Sequence, residues 1–430
     1  MKRLIAQAKQ LFREGFFHIF GSSVLAQVGG LISSMIVVRG LPKTEYGYYV
    51  SANNIYSYFQ ILIGLGMTNA ILQYCSEHVS QKRKDSVFRY SLTHGMFANI
   101  LICLGIFLFS FWKISNGQTQ IASYLQMMAF LPFVVYLFNY LQTTLRVQLM
   151  NREYSYANMA YSLTILIGNI LLTALFRIPG LILSMYLAYL VGAWYSLRPL
   201  QQESFLQTIF QRQNRLSRPD SREITRYALT CALTNLASTI LVLLDVTCLD
   251  LVLADSSVLA DYKVASTIPA AMTFIPSSMI TFFYPKLVEA FSQGKPQGFA
   301  LLRQLLRIYA VINGFCYLCL ALGAPIIIWL IFGEKYLNVI PIFQILSLNY
   351  LIYSIRSLLG NVIAAIKKVR LNLYLAILSG IINIVLNLIL INLLGSMGAA
   401  LSTLSITVLM GILCAAYLYH YRTTENLSEA

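Results

Sequence analysis

Between Leu371 and Leu394 the chain reads LNLYLAILSGIINIVLNLILINLL, a run with no charged residue. A helix of that length reaches about 36 Å, more than the roughly 30 Å of a bilayer's hydrocarbon layer. Such runs recur along all 430 residues. They persist over about 20 residues, whereas outer-membrane strands alternate over about 10. Charged residues make up 11% of the chain and hydrophobic residues 58%, against about 25% charged in soluble domains. The class is an all-α polytopic membrane protein.

Twelve spans follow from the pattern, at 16–38, 46–75, 88–112, 121–149, 154–176, 178–198, 224–254, 258–290, 301–331, 338–366, 371–394 and 397–420. The longest connection, 199–223, which contains LQQESFLQTIFQRQNRLSRPDSR, is polar and Pro-bearing. It divides the chain into a six-helix lobe at 1–198 and another at 224–430. With the N-terminus in the cytoplasm, twenty-four of the 31 Lys and Arg fall on cytoplasmic segments and helix ends. Six fall outside and Arg356 lies within a span. That bias places both termini inside. Six spans per half, entering from the same side, imply two parallel repeats. The basic lead-in MKRLIAQAKQLFREGFF reads as retained, because the apolar stretch after it exceeds a signal peptide's.

The net charge of +15 belongs to the short loops, where it meets anionic lipid headgroups. Nucleic acid is not an expected partner. Cys316 and Cys319 form a C-x-x-C inside the apolar GFCYLCLALG and read as packing cysteines. No phosphate-binding glycine loop and no H-E-x-x-H occurs. The four His are widely spaced, so no metal and no cofactor is expected. A membrane glycan polymerase would need a sizeable outer loop, and none exceeds about 15 residues, so the chain does not read as an enzyme.

Ionisable residues inside spans are the candidates for function, since a charge at mid-membrane costs about 2.5–3.5 kcal/mol on insertion scales. Arg356, in NYLIYSIRSLLGNVIAAIKK, sits about 25 Å along its span. It either snorkels to headgroups or lines a cavity and meets an anion. Asp245 and Asp250, in LVLLDVTCLDLVLAD, are ion-coupling candidates or interfacial carboxylates. Arg146 and Arg39 sit at span ends. Amides within spans, among them Asn53, Gln60 and Asn349, together with many of the 28 Tyr, suit sugar hydroxyls because they donate and accept without fixed charge. Interhelical hydrogen bonding is the plainer use. Asn383 and Asn387, spaced i, i+4, read as packing.

Three stretches together carry a resemblance. RGLPKTEYGYY follows the first span. LADYKVASTIPAAMTFIPSSMITFFYPKL forms the eighth. From Phe332 onward, a Gly-x-x-Tyr turn, Pro341 opening span ten, a Lys/Arg loop, the Asn-x-x-x-Asn helix and a Gly-x-x-Gly-Ala-Ala turn follow in order. With the twelve-span plan, this set resembles the polysaccharide-export flippases. That family is related to multidrug antiporters and peptidoglycan-precursor flippases. The resemblance implies two six-helix lobes around a central cavity that opens alternately to each face of a bacterial cytoplasmic membrane. It implies undecaprenyl-diphosphate-linked oligosaccharide as substrate, with a polysaccharide polymerase and chain-length machinery as partners. Arg356 and Arg39 become candidates for the diphosphate by position. Arg146, Asn53, Gln60 and Asn349 complete the candidate substrate contacts. A cation-coupled multidrug antiporter or a lipid II-type flippase is the alternative.

Overall fold

A helix that meets water on one side and lipid on the other shows which face is which by what it leaves uncovered. In the computed structural model of this chain, α4 (Gln81–Ser115) exposes Phe97, Leu101, Leu104, Leu108 and Phe111. Its opposite face buries Ala98, Asn99, Ile102 and Ile106. The helix α11 (Lys295–Phe332) does the same, with Val311, Phe315, Leu318, Leu322, Ile326 and Trp329 in one uncovered apolar stripe. Spacings of three and four residues put each set on a single face. Uncovered apolar stripes of this extent, on helices long enough to cross a bilayer, are what a lipid-facing surface requires.

The structure describes residues 29–76, 80–202, 216–366 and 368–423, and the regular structure among them is helical. The other helices are α1 (Gly29–Gly40), α2 (Lys43–Ile61), α3 (Met67–Ser76), α5 (Thr119–Met128), α6 (Leu131–Val147), α7 (Asn151–Gln202) and α8 (Arg218–Leu253). After them come α9 (Ser256–Met272), α10 (Phe274–Gln293), α12 (Ile340–Ala365), α13 (Val369–Leu394) and α14 (Ser396–Thr423). Pairs α2/α3, α5/α6 and α9/α10 are halves of one span each, and α7 bends into two at Arg177 (φ 55°, ψ −131°). The described helices therefore group into twelve segments, in the places the hydropathy pattern gives. Most of the first expected span lies outside the described residues. Eight helical stretches are by themselves long and apolar enough to cross a membrane.

The chain forms two compact units, 1–243 and 244–430. The expected linker 199–223 precedes that point, and 203–215 lie outside the described residues. The first turns of α8 pack on the first unit. Tyr74 donates to Glu223 at 3.0 Å, Tyr90 bonds Thr225 at 2.7 Å, and Arg83 pairs with Asp220 at 3.5 Å. The first unit's core gathers Phe88, Tyr136, Tyr140 and Leu145 with Ile224 and Ala228 of α8. The second's gathers Leu305, Tyr309, Leu358 and Val362 with Cys414 and Leu418.

The second span of each half is broken. Between α2 and α3, Gly64, Leu65 and Gly66 all take positive φ. The turn is held by Asn99, whose Oδ1 accepts the Gly64 N–H at 3.0 Å. In the other half the break follows Met272, because Pro276 has no N–H to donate and its ring crowds the carbonyl four residues earlier. The last turns also match. Arg177 (φ 55°, ψ −131°) and Gly395 (φ 60°, ψ −138°) share one backbone conformation. In both, the residue three further on is a Gly whose hydrogen faces the carbonyl five residues before the turn: Gly180 on Leu172, Gly398 on Leu390. The internal repeat is faint in sequence and plain in backbone.

Gly66 is the most constrained of these positions. A Cβ there would stand 2.2 Å from the Ala228 carbonyl oxygen, in a backbone at φ 75°. Gly66→Ala should cost about 1–2 kcal/mol from the left-handed conformation alone, plus whatever moves α8 away. Thermal unfolding of the detergent-purified variant should show a lowered midpoint, and an unchanged midpoint would mean the turn is not close-packed on α8.

Candidate functional site

Two polar centres lie inside the second unit, in helices that are otherwise apolar. The first is built on Asp245, in the last quarter of α8. Its Oδ2 accepts hydrogen bonds from the Tyr262 hydroxyl of α9 at 2.7 Å and the Thr403 hydroxyl of α14 at 2.5 Å. Its Oδ1 accepts from the Asn387 amide of α13 at 2.9 Å. Asn387 also donates to Asn383 at 3.0 Å, one turn earlier. Tyr262 and Asn387 are buried and Asp245 is half-buried. Four helices thus converge on one carboxylate using neutral donors, and among the described residues no Lys or Arg pairs with it. A carboxylate within a membrane span normally faces a partner or water, and here its partners are neutral donors. Asn387 Oδ1 is buried without a hydrogen-bond partner, so a further oxygen stands beside the carboxylate.

The first unit holds the counterpart. Asn169, on the first limb of α7, donates to Ser33 of α1 and accepts from Ser184 on the second limb. All three are buried. Asn169 precedes its turn residue, Arg177, by as many positions as Asn387 precedes Gly395. Ser33 holds the place in this knot that Asp245 holds in the other. One knot is neutral throughout and the other carries a charge.

The second centre surrounds Arg356 on α12. Asn349, Tyr353, Arg356 and Gly360 recur at intervals of four, three and four, so they share one face. The guanidinium carbon lies 5.9 Å from the Tyr353 ring centroid. A cavity of about 240 Å³ opens between α12, α13 and α14, lined by Arg356, Tyr353, Ser357, Asn361, Asn372 and Cys414 among others. At roughly 30 Å³ per water, it has room for an anion of phosphate size. Asn361 turns back on the Ser357 carbonyl at 2.8 Å, and Asn372 donates to the Gly360 carbonyl at 2.9 Å. Arg356 is half-buried, and among the described residues it forms no ion pair. Asn349 is half-buried with its Oδ1 unpartnered.

The remaining sequence candidates are more dispersed. Arg39 is exposed at the end of α1. Arg146 is exposed in the last turn of α6, its guanidinium carbon 5.8 Å from the Tyr154 ring centroid, the placement of a snorkelling side chain. Asp250 is half-buried in the last turns of α8. Asn53 and Gln60 lie on α2, half-buried and exposed. Tyr262 and Thr403 carry no signal of their own in the sequence, and Asn383 and Asn387, which read there as packing, bond each other and Asp245. Two amides one turn apart in an uncharged helix were the available signal. The seven Cys are all free thiols.

Comparison with solved structures shows the fold. The chain is similar to the inward-facing conformation of a multidrug resistance MATE family transporter of the MOP superfamily, with a TM-score of 0.76 and 13% identity, covering 94% of this chain and 96% of that one. It is similar to the lipid II flippase MurJ in an inward closed conformation, with a TM-score of 0.70 and 14% identity, covering 93% and 86%. An uncharacterized membrane protein of Methanocaldococcus jannaschii, MJ1068, is 21% identical over 415 residues, which is 90% of this chain and 80% of that protein. The class so defined is the multi-pass membrane protein of all-α fold. Within it, the profile of the polysaccharide biosynthesis protein family matches residues 12–291, and the chain belongs to that family.

Proposed function

We propose that the protein flips undecaprenyl-diphosphate-linked oligosaccharide repeat units across the bacterial cytoplasmic membrane for surface polysaccharide synthesis. Family membership supports a lipid-linked substrate. The observation that carries the reading further is Arg356: a guanidinium without an ion pair among the described residues, in a phosphate-sized cavity, on a helix face shared with Asn349. An amphipathic substrate with a diphosphate joint is the ligand such a site would take.

In this reading both termini are cytoplasmic, with six-helix lobes at 1–198 and 224–430 joined by the linker 199–223, and access to the substrate alternates between the two faces of the membrane. The glycan enters from the cytoplasmic side while the polyprenyl chain stays in lipid. Arg356, with Arg39 and Arg146 nearer the surfaces, receives the diphosphate. Asn53, Gln60 and Asn349 meet sugar hydroxyls. Asp245 binds the coupling cation or proton, and Asp250 stands nearer the membrane surface on the same helix. Anionic lipids contact the basic loops. A polymerase and chain-length machinery take over the product.

The test is the leaflet distribution of lipid-linked glycan after depletion of the protein. Accumulation on the cytoplasmic leaflet with synthesis intact is the expected result. A normal distribution, with dye efflux lost instead, would overturn it in favour of a cation-coupled drug antiporter, the reading that the Asp245 centre alone would also allow.

A further inference from the structure

In the first unit, Asn53 and Gln60 belong to a longer stripe of rings and amides. Tyr49, Asn53, Tyr56 and Gln60 follow one another on α2 at intervals of four, three and four, so they stand in one row. Tyr49 and Asn53 are half-buried, Gln60 is exposed, and Tyr56 is 1% exposed. The Tyr56 hydroxyl is buried with no hydrogen-bond partner among the described residues. A buried hydroxyl left without a partner costs about 1–3 kcal/mol, so Tyr56 has unspent hydrogen-bonding capacity. The row ends where α2 ends, at the positive-φ turn beginning at Gly64.

Facing the row are the two limbs of α7. The phenols of Tyr161 and Tyr189 lie close enough to those of Tyr49 and Tyr56 to interact electrostatically. Their own ring centroids are 4.9 Å apart. Behind them Phe138 of α6 stacks on Tyr161 at 5.2 Å and meets Tyr189 edge-on at 5.8 Å. This aromatic wall is fixed before any ligand arrives. None of Tyr49, Asn53, Tyr56, Gln60, Tyr161 and Tyr189 carries a charge. The nearest acid one turn earlier on α2, Glu45, is paired with Arg177 at 3.5 Å.

A cationic drug would need a carboxylate here and a diphosphate would need a base. A pyranose needs neither. Its C–H face lies on a ring, and its rim of hydroxyls exchanges hydrogen bonds with groups that both donate and accept. Alternating Tyr, Asn, Tyr and Gln supplies both along one row. We propose that this row, with Tyr161 and Tyr189 opposite, is the saccharide-holding subsite. The proposal rests on the flippase reading and assigns its glycan contacts to α2 and α7 of the first unit. Neutral contacts of this kind hold weakly, which suits a ligand that must be released.

The test uses the purified full-length protein in nanodiscs and four probes: farnesyl diphosphate bare, or carrying one glucose, galactose or N-acetylglucosamine. At least one glycosylated probe should bind wild type about tenfold tighter than the bare one. Tyr56→Phe, which keeps the ring and its packing, and Asn53→Ala should each remove most of that increment and leave bare-probe affinity unchanged. Retention of the increment in both variants would overturn the subsite. So would equal binding of all four probes by wild type, and the diphosphate role of Arg356 would then stand by itself. Failure of wild type to bind any probe would overturn the flippase reading along with the subsite.

Discussion

Arg356→Ala should lower export of lipid-linked glycan by roughly one to two orders of magnitude while the protein accumulates in the membrane at its normal level. The size follows from what a guanidinium gives an anion: hydrogen bonds to charged groups are each worth about 1.5–3 kcal/mol, and 1.4 kcal/mol is tenfold. The stability side runs the other way. Arg356 has no ion-pair partner among the described residues, so its removal leaves no opposite charge stranded. A charge within a span is itself costly. The alanine variant should therefore unfold at the same temperature as wild type or above it. Export lost with stability kept or gained separates a working residue from a structural one. Arg356→Lys should recover part of the activity, since it restores the charge without the planar two-pronged fork. Undiminished export in the alanine variant would defeat the assignment.

The second large effect belongs to Asp245. Asp245→Asn keeps the side chain's size but offers one acceptor where the carboxylate offered two. In reconstituted vesicles, transport by this variant should lose its dependence on an imposed sodium or proton gradient. If wild type responds to the gradient and the variant responds equally, Asp245 is not the coupling group. Asp245→Ala should go further and destabilise the fold. It orphans the donors of Tyr262, Asn387 and Thr403, two of them buried, at about 1–3 kcal/mol for each buried donor left unmet. The asparagine variant should unfold at a temperature between wild type and alanine.

The span pattern was legible because each crossing must be apolar for its whole length, a constraint no soluble packing relaxes. The turn at Arg177 fell where the hydropathy pattern divides spans five and six. The break between α2 and α3 was not visible, since Gly64 and Gly66 sit inside an apolar run. Their effect depends on Asn99 and Ala228, which are distant in sequence. Asp245 and Arg356 stood out as charges within apolar helices. Their surroundings did not, because Asn387 and Thr403 are ordinary residues in helices 142 and 158 positions away. Sequence spacing ranks a residue by how unusual it is in its own segment. It gives no measure of what the segments bring together.

The matched turns at Arg177 and Gly395, with Gly180 and Gly398 seated alike on the carbonyls before them, repeat one backbone design in the two halves. Each half ties its spans together through one Asn knot, yet the two knots differ in chemistry. One joins Ser33, Asn169 and Ser184. The other has a carboxylate among Asn387, Thr403 and Tyr262. The two halves are therefore unequal at matching places: a cation or proton taken up at Asp245 would alter the contacts of one knot and leave the other as it is.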